Sequence, residues 1–447
     1  MKKRLLSLAL GTMMVLSTLA GCGSKDGGSA TVNTKPEEQG KVLNIYCWNE
    51  EFKSRFEGYY KNVPSDVKVN WVITPNENNA YQNALDAALL KQKDAAADDK
   101  IDMFLIEADY ALKYVNSDYT LDVKDVGLTD DDLKDMYQYT KDIATDSKGK
   151  LKATTWQATP GLFAYRRSIA KDVLGTDDPD ELAAMLSDWD KIVEVGKQVY
   201  EKSDGKIALL DDVESVLQLY ASYKGQPWVD DNNHIISDDY MLEMYKMMET
   251  VVSNKVDAEA DMWSAGWTSG MYSKDMFILT CLPTWGLNFC IKPGIPDDEM
   301  DKAANTWGYM QAPIPYQNGG TWYGMYSKSK NKDAAWAWIK TMTSNVDYLV
   351  NGLANTWGDF PGYIPAIEKC IEEGHTDIVT GDQQYFADFY ETAKEVKGDP
   401  MTKYDRQAWT SAGAQMDLIA TGQITPEEAV QGFKEDMKNI YPEIEID

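Results

Sequence analysis

Residues 42–106 switch between two hydrophobic periods, and that alternation restricts the fold more than any other feature of the chain. Val42-Leu43-Asn44-Ile45-Tyr46-Cys47-Trp48 is an apolar strand. Residues 51–60 then put Phe52, Phe56, Tyr59 and Tyr60 on one face of a helix. A second strand covers 67–73 and is closed by Thr74-Pro75-Asn76, and an Ala- and Leu-rich helix follows over 79–93. Residues 101–106 are apolar almost throughout, as expected of a parallel strand covered on both faces. Strand, helix, strand, helix, strand predicts an α/β layout. Ligands of such sheets sit beyond the carboxyl ends of the strands. Trp48-Asn49-Glu50 and Glu107-Ala108-Asp109-Tyr110 occupy that place.

The rest of the chain is richer in helices. Helical spacing appears over 191–201, 213–223, 240–252 and 333–342, and again over 364–373, 384–396, 405–421 and 426–440. The last of these opens with Thr425 as N-cap, Pro426 at the first position and two glutamates in the first turn. Residues 277–282 form a further apolar strand. The stripe Met241, Met244, Met247 and Met248 reads as core filler. A length of 447 residues exceeds one ordinary compact domain, and two are expected.

Charge and residue counts exclude several functions. With 44 Lys+Arg against 72 Asp+Glu the formal charge is −28, so the surface repels phosphates and no nucleic-acid partner is expected. Two histidines, His234 and His375, exclude a multi-His metal site. Phosphate-loop, dinucleotide and nucleophile-elbow patterns are absent, and the Ser-x-x-Lys at Ser203 falls in a turn with no accompanying Ser-Asp-Asn or Lys-Thr-Gly. No cofactor, metal or catalytic residue is expected. The thiols of Cys47, Cys281, Cys290 and Cys370 lack metal-type spacing and are expected to be free and buried.

The N-terminus reads as a processing signal. Lys2, Lys3 and Arg4 precede an apolar run too short to span a bilayer. Leu19-Ala20-Gly21-Cys22 resembles a bacterial lipobox, which implies removal of residues 1–21, acylation of Cys22, including palmitate, and a cell-membrane anchor on the extracytoplasmic face. Residues 22–40 are small and polar, as in a flexible tether.

Several segments, in order, resemble the extracellular solute-binding proteins of sugar ABC importers, the maltose-binding-protein-like family. These are Ile45-Tyr46-Cys47-Trp48, residues 101–106 with Asp109, Tyr165-Arg166-Arg167-Ser168, Ser187-Asp188-Trp189-Asp190, and Thr284-Trp285-Gly286. The most specific stretch is Ala312-Pro313-Ile314-Pro315, Gly319-Gly320, then Ser327-Lys328-Ser329-Lys330-Asn331 and Asp333-Ala334-Ala335-Trp336. Arg166 and Thr284 depart from the family's usual Asn and Pro. The resemblance implies two α/β lobes of the periplasmic-binding-protein type, with hinge crossings and a ligand cleft between them. One lobe would hold 41–156 plus 316–351, the other 157–315 plus 352–447. It also implies a monomer that closes on a sugar and is recognised by the importer's permease. A non-sugar solute (polyamine, peptide or ferric ion) and a surface glycoside hydrolase are the alternatives.

For a sugar, the 14 tryptophans matter most. An indole stacked on a pyranose face hides roughly 50 Å² of apolar surface, worth about 1.3 kcal/mol at 25 cal/mol per Å². Trp71, Trp189, Trp336, Trp338 and Trp409 lie within regular elements and are expected in the core, and Trp307 opens a strand. Trp48 and Trp285 are the leading platforms, followed by Trp156 near the expected first crossing, Trp228 in a Gly-Gln-Pro-Trp loop, and Trp263, Trp267, Trp322 and Trp357 in loop-like surroundings, with packing between elements as their other reading. Asp109 is the leading polar contact. Asn49, Glu50 and Gln157 follow, with helix capping or a crossing role as their other reading.

Overall fold

The computed structural model describes residues 39–59, 67–230, 232–397 and 402–446. The expected leader, Cys22 and nearly all of the tether lie outside them. Among the described residues no helix is long and apolar enough to cross a membrane.

Among the described residues, ten strands form two sheets. They are β1 Val42–Cys47, β2 Lys68–Ile73, β3 Ile101–Glu107, β4 Ala153–Thr155, β5 Pro160–Arg166, β6 Ala208–Leu210, β7 Phe277–Pro283, β8 Trp307–Met310, β9 Tyr316–Gln317 and β10 Thr321–Met325. The first sheet has the order β2-β1-β3-β10-β4. Its first three strands are parallel, joined through helices Glu51–Tyr59 and Ala80–Leu90, and β10 runs antiparallel between β3 and β4. The second sheet has the order β6-β7-β5-β8, with β9 also on β5. Pairing of Tyr316–Gln317 with β5 keeps those residues in the second sheet, so the return to the first begins after Gln317 rather than at 316.

Each sheet is covered by the helices its sequence predicts. Asp188 caps helix Trp189–Lys202, accepting from the Lys191 N–H, and Thr425 and Glu428 close a capping box on Pro426–Ile440. Met241, Met244 and Met248 are fully buried in the core around the second sheet. Cys47, Cys281, Cys290 and Cys370 are free and buried, as expected, and burial pushes the Cys47, Cys290 and Cys370 thiols up to about 12.

Three chain crossings join the sheets and bond to one another. The Ala158 N–H donates to the Phe360 carbonyl at 3.1 Å, and the Gly362 N–H to that of Trp156 at 2.8 Å. The Thr155 hydroxyl donates to the Thr321 carbonyl at 2.7 Å, and the Thr159 hydroxyl to that of Gly319 at 3.0 Å. Gly320 permits the last approach. Its φ is +114°, and a Cβ there would stand 2.9 Å from the Trp322 ring.

A buried ion pair fastens the third crossing to the first sheet's leading helix. The Arg55 guanidinium, 5% exposed, donates to both Asp359 oxygens at 2.9 and 2.8 Å, with Glu51 at 3.6 Å. Removing one partner of such a pair strands the other charge away from water. Asp359→Ala is therefore expected to lower unfolding free energy by about 3 kcal/mol in denaturant titrations. A loss under about 1 kcal/mol would show that water reaches the pair.

Candidate functional site

The carboxyl ends of β1, β2 and β3 deliver Trp48, Asn76 and the Glu107–Asp109 pair to one edge of the first sheet. Trp48 is partly exposed and meets Tyr81 edge-on at 5.3 Å between centroids. The Asn76 amide donates to Glu107 at 3.0 Å. Asp109 ion-pairs through Oδ2 with Arg406, from the first turn of helix Asp405–Ala420 on the second lobe. Its Oδ1 is buried, with no side-chain partner, and burial raises the carboxyl while Arg406 and the nearby Asp109 and Tyr110 backbone N–H groups favour its charged form. A carboxylate oxygen in that position is a strong acceptor.

The second lobe contributes an aromatic shelf. Trp285, just past β7, is stacked on Trp263 at 5.9 Å with planes 13° apart. Trp263 is 61% exposed and Trp285 partly exposed. The Trp285 indole N–H donates to the Asn318 carbonyl at 3.1 Å. Three residues on, Thr321 is the register partner of Glu107. The shelf and the carboxylates are thus tied to opposite ends of one short crossing.

Other expected platforms are taken into the core. Trp156 is fully buried, stacked 6.1 Å from Tyr323 and packed on Phe52. Trp228 packs on Phe433, Trp322 donates its N–H to the Thr140 carbonyl, and Trp267 donates to the buried Asp211 at 2.8 Å. These four rings are at most 2% exposed and offer no face to a ligand. Gln157 is buried in the first crossing, bridged to Pro361. Asn49 accepts from the Glu51 N–H at 3.0 Å at the start of its helix, and Glu50 is exposed and paired with Lys53 at 2.9 Å. Trp357 remains 37% exposed, with the Arg55 guanidinium 4.6 Å from its ring centroid.

Two residues escape the sequence reading. Arg406 reaches Asp109 across 297 positions, and no local pattern marks it. Trp409, expected in the core, is 36% exposed on the same helix. There the inward stripe is Ala408, Ser411, Ala412, Gln415, Met416 and Ile419, and Trp409 stands one position outside it. Among the described residues no group of three or more His, Cys, Asp or Glu is placed to hold a metal ion.

The family of bacterial extracellular solute-binding proteins matches residues 52–387. No curated protein matches the chain. A crystal structure of an extracellular solute-binding protein of family 1 superposes with a TM-score of 0.73 at 16% identity, covering 89% of this chain and 99% of that one. Maltose-bound MalE3 of T. maritima gives 0.65 at 15% identity over 89% and 99%. The ABC transporter associated binding protein from B. animalis subsp. lactis, in complex with β-1,6-galactobiose, gives 0.63 at 19% over 90% and 97%. The likeness bears out the expected two-lobed, maltose-binding-protein-like α/β fold.

Burial and the neighbouring Asp109 charge raise Glu107 from 4.5 to about 7, against the pull of Arg406 and Asn76. Burial likewise raises Glu214 to about 7 and Asp212 to about 8. Between their ordinary values and these, the native chain holds protons that the unfolded chain has released. Their contribution to stability is therefore full at low pH and lost as pH rises through the native values. The melting temperature is expected to fall from pH 5 to pH 8, with a shallower slope in Glu107→Gln. A flat wild-type profile would contradict this.

Proposed function

The chain belongs to the bacterial extracellular solute-binding proteins, and from that premise we propose that it captures a carbohydrate, an oligosaccharide rather than a single sugar, between its lobes and delivers it to the permease of an ABC importer. The observation that carries this reading is the buried Asp109 oxygen at the strand ends and the exposed aromatic shelf, tied to opposite ends of the 318–321 stretch. A sugar presents hydroxyl donors on its edge and flat apolar C–H faces, and the site offers an acceptor for the one and indole faces for the other. Neighbours that hold maltose and β-1,6-galactobiose support the same class.

In this mechanism Trp285 and Trp263 stack on the ligand from the second lobe, while Trp48 and Asp109 meet it from the first. Contacts that form only when both lobes touch the ligand favour the closed state by their own free energy. Burial raises the Asp109 carboxyl, and the Arg406 pair works against that shift by favouring its charged, accepting form. No bond is made or broken, and no residue is assigned a catalytic role. Lipid on Cys22 holds the protein to the outer face of the cell membrane through the polar tether of residues 22–40.

Isothermal titration with a panel of neutral glycans tests the reading. Trp285→Ala and Asp109→Ala are each expected to weaken binding at least tenfold, about 1.4 kcal/mol. Unchanged affinity in both rejects the site, and glycan cleavage by the pure protein rejects a purely binding role. Cys22→Ala is expected to abolish incorporation of labelled palmitate in cells and to release the protein from the membrane fraction; undiminished labelling would place the lipid elsewhere.

A further inference from the structure

A pocket of about 420 Å³ opens at the third crossing, within the range of small-molecule sites. Trp357 and Phe289, 37% and 40% exposed, form its apolar walls. Arg55 enters from the first lobe, and Asn288, Lys292 and His375 from the second. The pocket lies one turn of chain from the aromatic shelf, for the Phe289 N–H donates to the Trp285 carbonyl at 3.1 Å. The Asn288 amide, donating to the Trp357 carbonyl at 2.8 Å, ties its two sides together.

Its electrostatics select a neutral occupant. Arg55 is already matched by Asp359, and Lys292 pairs closely with Asp377. Burial lowers His375, which therefore stays uncharged at neutral pH, its ring nitrogens meeting Asn355 and Tyr385. An anion finds no spare cation here, and a cation finds no spare carboxylate. Two exposed aromatic faces among amides and compensated charges suit a ring with apolar faces and hydroxyl edges.

We propose that this pocket is the subsite for an outer glycosyl unit of an oligosaccharide whose inner units lie against Trp285 and Asp109. The assignment rests on the carbohydrate reading and adds a preference for chain length to it. The unit stacks on Trp357 or Phe289, and its hydroxyls meet the side chains of Asn288 and Asn355. Because the walls come from both lobes and the crossing, a longer ligand adds contacts that depend on the closed hinge.

Isothermal titration of maltose against maltotetraose, and of β-1,6-galactobiose against its tetramer, tests this. In the series that wild type binds, the tetramer is expected to bind at least fivefold tighter than the dimer. Trp357→Ala and Phe289→Ala should each cut that ratio at least threefold, and Trp357→Phe, which keeps a stacking face, should restore most of it. Melting temperatures within about 3 °C of wild type establish that the variants are folded, and Phe289→Ala serves if the loss of the Arg55 contact unsettles Trp357→Ala. A wild-type ratio near one, or a ratio unchanged in the folded alanine variants, overturns the subsite while leaving the carbohydrate reading intact. Wild-type protein that binds neither series overturns that reading and the subsite with it.

Discussion

Everything in this molecule that faces a ligand hangs on the hydrogen bonds between its crossings. Among the described residues the two sheets share no strand, and three short stretches of chain run between them. Each would be a loose tether alone. Bonded to one another, Trp156 to Gly362, Ala158 to Phe360 and Thr155 to Thr321, they form a small braid. The Thr284 hydroxyl adds a fourth strand of chain by donating to the Ala158 carbonyl at 2.9 Å. Such a braid holds the lobes in register while concentrating any bending into a few backbone torsions.

The braid also explains the placement of the site. Trp285 follows directly on Thr284, and its indole N–H is held by Asn318 in the second crossing. That crossing runs on into β10, beside the β3 end from which Glu107 and Asp109 project. The shelf and the carboxylates are therefore positioned by one connected set of hydrogen bonds, the Trp285 indole to Asn318 and the β10–β3 ladder, not by loops that vary independently. Recognition groups held this way lose little entropy when a ligand arrives.

The fold was legible where local chemistry decides it. The apolar run of β3, the parallel β1 and β2, and the capped helix Pro426–Ile440 follow from period and caps alone. The division of the tryptophans was not. A place near the first crossing pointed to Trp156, and loop surroundings to Trp228, Trp267 and Trp322, as platforms, yet each ring is sealed by residues distant in sequence, such as Tyr323, Phe433 and Asp211. Trp409 fails in the opposite direction. The inward stripe of its helix runs through Ala408, Ser411, Ala412, Gln415, Met416 and Ile419, so a ring expected in the core because a helix carries it is left outside. Whether an indole keeps a free face is a tertiary property, set by what packs on it rather than by the element that carries it.

The net charge of −28 takes on a narrower meaning against this geometry. Around the carboxylate edge, Glu107 and Asp109 face a single Arg406, and burial with the Asp109 charge raises Glu107 to about 7, so that part of the Glu107 charge is withdrawn near neutrality. At the hinge pocket every cation has its own carboxylate. The surplus acid of the chain is therefore spread over its surface, where it favours solubility, while the groups that would meet a ligand are close to balanced. A charged solute would have to break one of these pairs to gain a partner, and desolvating the charge left behind offsets that gain. A neutral ligand with many weak donors can instead meet the buried Asp109 oxygen and the open indole faces without breaking either pair.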